Sequence, residues 1–328
     1  MRELLEKIWY GRHPAAALLV PFSLIYRCVI AIRRSAFKSG LLASYRARVP
    51  VIVVGNLTVG GTGKTPLVIW LANYLRTQGF QPGIISRGYR GNAKSWPQQV
   101  RPDSDPAIVG DEAIVLARRT GCPVAVGPNR SQSVEALLEY SNCDVIVSDD
   151  GLQHYRLARD VEILVVDSVR RFGNRRCLPA GPLREPLGRL TEIELTVSNG
   201  IASRGEFEMK ILPRKLYSVT ESGVTIGLED LAGKAVNAVA GIGNPSLFFD
   251  MLRGKGMRVN KHPFPDHHEF NDSDFQFNSD SPIVMTEKDA VKCERMNLSN
   301  AWYLGIDVEM PTVFEHRLAA ALKEANYG

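Results

Sequence analysis

Short apolar runs recur along the chain at residues 51–54, 83–85, 124–126, 145–147 and 163–166. They are too short for helices and are bounded by Gly, Pro, Asn or Asp, so they predict buried strands. Between them, residues 66–78, 111–119 and 130–140 carry apolar positions at helical spacing. Buried strands alternating with helices imply a parallel, doubly wound α/β sheet. From about residue 200 to 227 the pattern becomes polar and strand-like, as in a β-ribbon or linker. A second, smaller α/β set follows, with strands over 235–240, 258–261, 283–285 and 302–304 and helices over 246–253, 290–295 and 313–324. No internal repeat is evident, and the glycine-rich GIGNP at 241–245 reads as a turn rather than a second nucleotide site.

The N-terminus departs from this alternation. Residues 15–32 are nearly all apolar, yet include Pro21 and Arg27 and are followed by Arg33, Arg34, Lys38, Arg46 and Arg48. Basic residues after the apolar run, without a small-residue cleavage site, do not make a cleaved signal peptide. As a spanning helix, the apolar side chains would contribute roughly −3 to −5 kcal/mol, against about 2.5 to 3.5 for a central Arg and more for the proline. The sum is near zero. Ser23, Arg27 and Arg34 share one helical face opposite Phe22, Ile25, Val29 and Ile32, the pattern of a helix lying in a membrane interface. A peripheral anchor on the cytoplasmic leaflet is therefore expected before a true span, with a core helix of a soluble domain as the third reading.

Composition narrows the class only in part. With 328 residues and 45% hydrophobic content the chain is globular and long enough for two domains. A net charge of +5 does not imply nucleic acid. The five cysteines are widely spaced, with neither a disulfide framework nor a zinc-ligand pattern.

The chemistry is concentrated at GNLTVGGTGKTP, residues 55–66, which joins the first apolar run to the first predicted helix. Strand, glycine-rich loop and helix in that order form a phosphate-binding loop. Gly60, Gly61, Thr62 and Gly63 would turn backbone N–H groups around an oligophosphate, Lys64 would add a point charge, and Thr65 would hold Mg²⁺. Thr58 stands where the usual spacing has a first glycine, so the loop resembles the deviant loops of partitioning and nitrogenase-type ATPases, without their extra lysine at Val59. DVIVSDD at 144–150 has the form of a Walker B strand that delivers Asp149 and Asp150 to the sheet's C-terminal edge, where doubly wound sheets bind ligands. The following GLQH, ending at His154, adds polar groups at the same rim. Asp111, at a predicted helix start, suits a base for an alcohol acceptor, although an N-cap is the commoner role there. The cluster Asp266-His267-His268 offers a histidine beside a carboxylate from the second set, or else a surface loop. Arg170, Arg171, Arg175, Arg176, Arg184 and Arg189 surround a proline-rich segment at 178–186, a density suited to an anionic substrate or lipid surface.

Taken in order, GNLTVGGTGKTP, SRGYRG (86–91), GDE (110–112), DDGLQH (149–154), LPAGPLREP (178–186), Asp266-His267 and TEKDAVK (286–292) resemble the tetraacyldisaccharide 4'-kinase family of lipid A biosynthesis over nearly the whole chain, hydrophobic N-terminus included. The resemblance implies an ATP- and Mg²⁺-dependent kinase that phosphorylates the 4'-hydroxyl of an acylated disaccharide 1-phosphate. It would act at the cytoplasmic face of the inner membrane of a Gram-negative bacterium, with no nucleic acid and no obligate protein partner. By motif, Lys64 and Thr65 would hold phosphates and metal, and Asp149 and Asp150 would arrange the metal and phosphoryl group. Asp111 would be the base, assisted by His267 rather than His268, with Glu112 nearby at the metal. Arg87, Tyr89, Arg130, Arg184 and Glu185 would contact the sugar phosphate or order the cleft. The expected organisation is a membrane-associating segment at 1–36, a P-loop domain at 37–199, a ribbon or linker at 200–227, and a second α/β domain at 228–328 closing over the cleft. The competing reading is a deviant P-loop switch ATPase with no acceptor alcohol. A GTPase is disfavoured, because the lysine of Thr286-Glu-Lys-Asp289 falls one place late for guanine recognition.

Overall fold

All nine segments expected as strands form strands. The computed structural model describes residues 2–11, 13–277 and 280–327. Three helices open the chain: α1 (Arg2–Tyr10), α2 (Ala15–Leu18) and α3 (Val20–Lys38). The first α/β set comprises β1 (Val51–Gly55), α4 (Lys64–Thr77), β2 (Pro82–Ser86), β3 (Gln98–Val100), α5 (Pro106–Val109), α6 (Asp111–Thr120), β4 (Val124–Val126), α7 (Arg130–Tyr140), β5 (Val145–Asp149), β6 (Val161–Asp167) and β7 (Leu195–Asn199). Then follow β8 (Phe207–Ser218), β9 (Thr225–Ile226), β10 (Ala235–Ala240), α8 (Pro245–Gly254), β11 (Arg258–Pro263), β12 (Ile283–Thr286), α9 (Glu287–Cys293), β13 (Ala301–Glu309) and α10 (Thr312–Tyr327).

The strands join in the order β11-β10-β12-β13-β8-β7-β6-β1-β5-β2-β4-β3, with β9 paired to β8. From β7 to β4 every neighbouring pair is parallel, and β3 closes that edge antiparallel. β1 lies between β5 and β6 and is buried along its whole length, which is why it reads as a continuous apolar run. Its side chains alternate between two cores. Ile52 and Val54 meet α4 and α6 through Leu71 and Ile114, and Val51 and Val53 meet α7 through Leu137 and Leu138.

The 200–227 stretch contains the strand that joins the two sets. The start of β8 pairs parallel with β7, and the remainder pairs antiparallel with β13. A third core, including Leu216, Val236, Phe249 and Leu252, fills the second set. One boundary differs from expectation: α10 was expected within the unit 228–328, but its Phe314, Leu318 and Leu322 lie in the core against α4 and the first sheet. β7 was not foreseen, because Leu195-Thr-Val-Ser-Asn199 alternates and offers no apolar run. α9 begins at Glu287 rather than Ala290, because the Thr286 side chain caps it by accepting from the Asp289 N–H.

The N-terminal segment divides at Leu19, and Pro21 is tolerated in the first turn of α3, where no intrahelical N–H is needed. The polar face of α3 meets the protein body and its apolar face is left outward, the opposite of what a core helix would do. Ser23 Oγ donates to the Cys177 carbonyl at 2.8 Å and accepts from the Ala180 N–H at 3.0 Å. Tyr26 donates to the Arg184 carbonyl at 2.9 Å, and Arg34 pairs with Glu192. Arg27 alone of the expected polar face stays exposed. On the outer side Phe22, Ile25, Val29 and Ile32 are 60, 64, 58 and 70% exposed. Among the described residues no helix is long and apolar enough to cross a membrane.

Candidate active site

The turn after β1 forms an anion-binding loop because its backbone adopts conformations that favour glycine. Gly60 and Gly63 have φ of +106° and +90°, and Gly63 leads directly into α4. Two asparagines that sequence reading passed over fix the loop's shape. Asn56 donates to the Gly60 carbonyl at 3.2 Å, and Asn199, at the end of β7, donates to the Thr62 carbonyl at 3.2 Å. A Cβ on Gly63 would lie 2.5 Å from the Asn199 amide nitrogen. The GIGNP turn also belongs to this site: a Cβ on Gly243 would lie 2.9 Å from the Gly61 nitrogen. The second set therefore approaches the loop backbone to backbone.

The proline-rich segment runs along the other side of the loop. Val59 N–H donates to the Pro182 carbonyl at 2.9 Å and Arg184 N–H to the Leu57 carbonyl. This brings Arg184 to Asp150, at 3.0 and 3.1 Å from its two oxygens, while Lys64 lies 3.4 Å from Asp150 Oδ1. Three others of the expected basic cluster stand in separate ion pairs. Arg189 is buried against Glu162, Arg171 pairs with Glu206, and Arg170 faces Glu6. Of the six arginines only Arg184 lines the cavity.

Asp149 and Asp150 leave the C-terminal end of β5 with different electrostatics. Burial disfavours the charge on Asp150, but Lys64 and Arg184 more than offset it and hold its carboxyl well below the usual carboxylate range. Burial and the charge of Glu112 raise the Asp149 carboxyl instead. Asp149 Oδ1 is buried without a hydrogen-bond partner. An orphaned carboxylate oxygen on a cavity wall that Asp150 and Thr65 also line suits a divalent cation. The described residues contain no cluster of three or more His, Cys or acidic side chains placed to cage a metal. One hydroxyl and two carboxylates fit Mg²⁺, which is usually bound by one or two carboxylates plus substrate phosphates and keeps several waters. Arg130, expected to contact the sugar phosphate or order the cleft, is buried off the cavity wall and braces this strand end. It donates to the Gly127 carbonyl at 2.8 Å and the Asp149 carbonyl at 3.4 Å. Glu185 is likewise buried, receiving Gln153 and the Tyr155 hydroxyl. His154 is also off the wall, and burial with Arg130 and Arg159 depresses it to about 4, leaving it neutral at pH 7.

Across the cavity the two sets meet at Asp111 and His267. His267 Nδ1 lies 3.2 and 3.1 Å from the two Asp111 oxygens, and its ring packs at 4.9 Å against Tyr89. Burial would raise the Asp111 carboxyl, but the His267 hydrogen bond and the charges of Lys288 and Lys292 lower it overall. His268 turns away to Asp274 at 2.9 Å and stacks on Phe264. Glu112, expected at the metal, instead receives Lys288 at 2.9 Å. Lys288 is a residue that sequence reading left without a role, although it stands within TEKDAVK.

These groups enclose a cavity of about 1030 Å³. Its walls include the loop from Gly60 to Thr65, with Arg87, Tyr89, Glu112, Asp149, Asp150 and Arg184. His267, Asp266 and Lys288 close it from the second set, and Tyr26 of α3 reaches one end. Asp111 lies behind this wall, 6% exposed.

The chain as a whole is similar to known proteins. The family model described as tetraacyldisaccharide-1-P 4'-kinase matches residues 15–323. A protein of Nitrosococcus oceani named tetraacyldisaccharide 4'-kinase is 51% identical over 322 residues, covering 98% of this chain and 95% of its own. One of the same name from Hahella chejuensis is 45% identical over 329 residues, covering 97% and 96%. Among solved structures, LpxK from Aquifex aeolicus in complex with ATP aligns with a TM-score of 0.78 at 27% identity, covering 95% of this chain and 99% of that one.

Proposed function

The chain belongs to the tetraacyldisaccharide-1-P 4'-kinase family, and from that membership we propose how its residues divide the work. It is an ATP-dependent kinase that phosphorylates the 4'-hydroxyl of a tetraacyldisaccharide 1-phosphate in lipid A biosynthesis. The observation that carries the assignment of roles is the cavity itself, which has a phosphate loop on one wall and His267, backed by Asp111, on the other.

Backbone N–H groups from Gly60 to Thr65 and the Lys64 ammonium bind the ATP phosphates. Thr65, Asp149 and Asp150 would hold Mg²⁺, which when bound neutralises charge on the β- and γ-phosphate oxygens. The 4'-oxygen attacks the γ-phosphorus, the bond from that phosphorus to the bridging oxygen breaks, and ADP leaves. Asp111 takes the hydroxyl proton. Glu112 and His267 line the cavity where Asp111 lies behind them, so acceptor entry must open this wall enough to free one carboxylate oxygen while His267 Nδ1–H keeps the other. Arg184, Arg87 and Tyr89 face the acceptor, and Arg130 and Glu185 order the walls behind them. β8 serves as the joint on which the second set approaches the loop, so that closure excludes water and the alcohol outcompetes hydrolysis. The assay is transfer of labelled phosphate from ATP to a tetraacylated disaccharide 1-phosphate in detergent micelles. Labelled lipid is the expected product, and ATP hydrolysis indifferent to lipid would favour the switch ATPase.

The outer face of α3 supports docking on the cytoplasmic leaflet of the inner membrane. Its polar side is already satisfied by the protein, and burying each exposed apolar side chain in lipid is worth about 1.5–3 kcal/mol at most. Replacing Ile25 and Ile32 with Ser is expected to lower partitioning onto anionic vesicles by about a hundredfold, since each 1.4 kcal/mol is tenfold. Sedimentation with vesicles measures this, and unchanged binding would remove α3 from the membrane contact.

A further inference from the structure

Lys288 sits in the first turn of α9, where the helix dipole disfavours a cation. Three partners offset that placement. Its Nζ lies 2.9 Å from Glu112 Oε1, 3.1 Å from His267 Nε2 and 3.4 Å from Asp266 Oδ1. An ammonium has three N–H donors and no acceptor lone pair, so His267 Nε2 must accept. A proton on Nε2, in either the other neutral tautomer or the imidazolium, would point N–H at N–H. The remaining ring proton therefore lies on Nδ1, directed at both Asp111 oxygens.

We propose that Lys288 is a positioning residue for the phosphoryl transfer: its hydrogen bond to Nε2 holds His267 in the Nδ1–H tautomer that binds Asp111, and its pair with Glu112 joins α6 to the Asp266–His267 turn. The catalytic consequence rests on Asp111 being the base, whereas the tautomer does not. Without Lys288, Nε2 is free to take the proton, and a bare Nδ1 lone pair would face the Asp111 carboxylate. The pair would then separate or become an ion pair of different geometry. Glu112 and Asp266 would also lose their shared cation at the cavity wall.

The test is ¹⁵N NMR of histidine-labelled full-length protein, with the His267 signals assigned among the six histidines by their loss in His267→Gln. The wild type is expected to show His267 protonated on Nδ1 and bare on Nε2. Lys288→Met should convert it to the Nε2–H or doubly protonated pattern. Lys288→Gln, whose amide still donates, should keep the wild-type pattern. In the label-transfer assay Lys288→Met should lower kcat by about ten- to a hundredfold, the scale of a reacting group displaced by an ångström. KM for ATP should stay within about twofold, and Lys288→Gln should recover part of kcat. A wild-type His267 carrying its proton on Nε2 overturns the proposal even if no variant folds, and so does a Lys288→Met protein with an unchanged tautomer. Loss of the tautomer with unaltered kcat would overturn the positioning role. Absence of lipid phosphorylation by the wild type would count against the proposed reaction, not against the tautomer.

Discussion

Lys64→Ala is expected to reduce labelled-lipid formation by at least about a hundredfold, the scale of removing one preorganised charge donor from a transferring group. The Lys64 side chain is 14% exposed and lies 3.4 Å from Asp150 Oδ1, with Arg184 on the same carboxylate at 3.0 Å. The two cations hold Asp150 ionised despite its burial. Removing Lys64 takes a charge from the phosphate site and leaves Arg184 as the remaining contact cation on Asp150. Arg184 would then be drawn more firmly to Asp150 and be less available to the acceptor. Both ATP binding and turnover should fall, which distinguishes this variant from those on the opposite wall. A Lys64→Ala protein that still labels lipid within threefold of wild type would mean that the loop's backbone alone carries the phosphates.

The parts of this architecture that were legible in sequence are those set by local pattern. The run at 51–54, buried on both faces of the sheet centre, could only be strand, and three glycines before Lys64 and Thr65 specify the loop. Interactions between distant residues left no such trace. Asn199 shapes the loop from 137 positions away, and Lys288 meets Glu112 across 176. Gly243 reads as part of an ordinary turn until its approach to Gly61 is seen. The basic cluster misled for the complementary reason. Arginine density in one segment gives no sign of the acids that the fold brings from elsewhere, and Glu162, Glu206 and Glu6 account for Arg189, Arg171 and Arg170. The N-terminal helix shows the same limit: the pattern separates its two faces but does not say what its polar face meets. Hydrogen-bond acceptors at Cys177 and Arg184, more than 150 residues downstream, decided that.

Asp111→Asn separates chemistry from architecture most cleanly, because the amide keeps the shape of the carboxylate and its oxygen can still accept from His267 Nδ1. What it cannot do is take up the acceptor's proton. The expected loss in kcat is on the order of 10²- to 10⁴-fold, the usual worth of a general base, with KM for ATP little changed because Asp111 lies off the loop. His267→Gln should cost less than Asp111→Asn, since the histidine acts through the carboxylate. The reverse order would move the base to His267. Stability provides an independent check. The folded carboxyl of Asp111 is lowered, because the bond from His267 and the nearby lysines outweigh burial. A group with a depressed folded pKa contributes stability that is present above its unfolded value, about 3.9, and is lost as pH falls through the folded value. Asp111→Asn should therefore melt below wild type at neutral pH, and the gap should narrow as the pH drops below about 4. A gap that stayed constant through that range would show that Asp111 owes nothing to its charged partners. Normal turnover by Asp111→Asn would exclude it as the base.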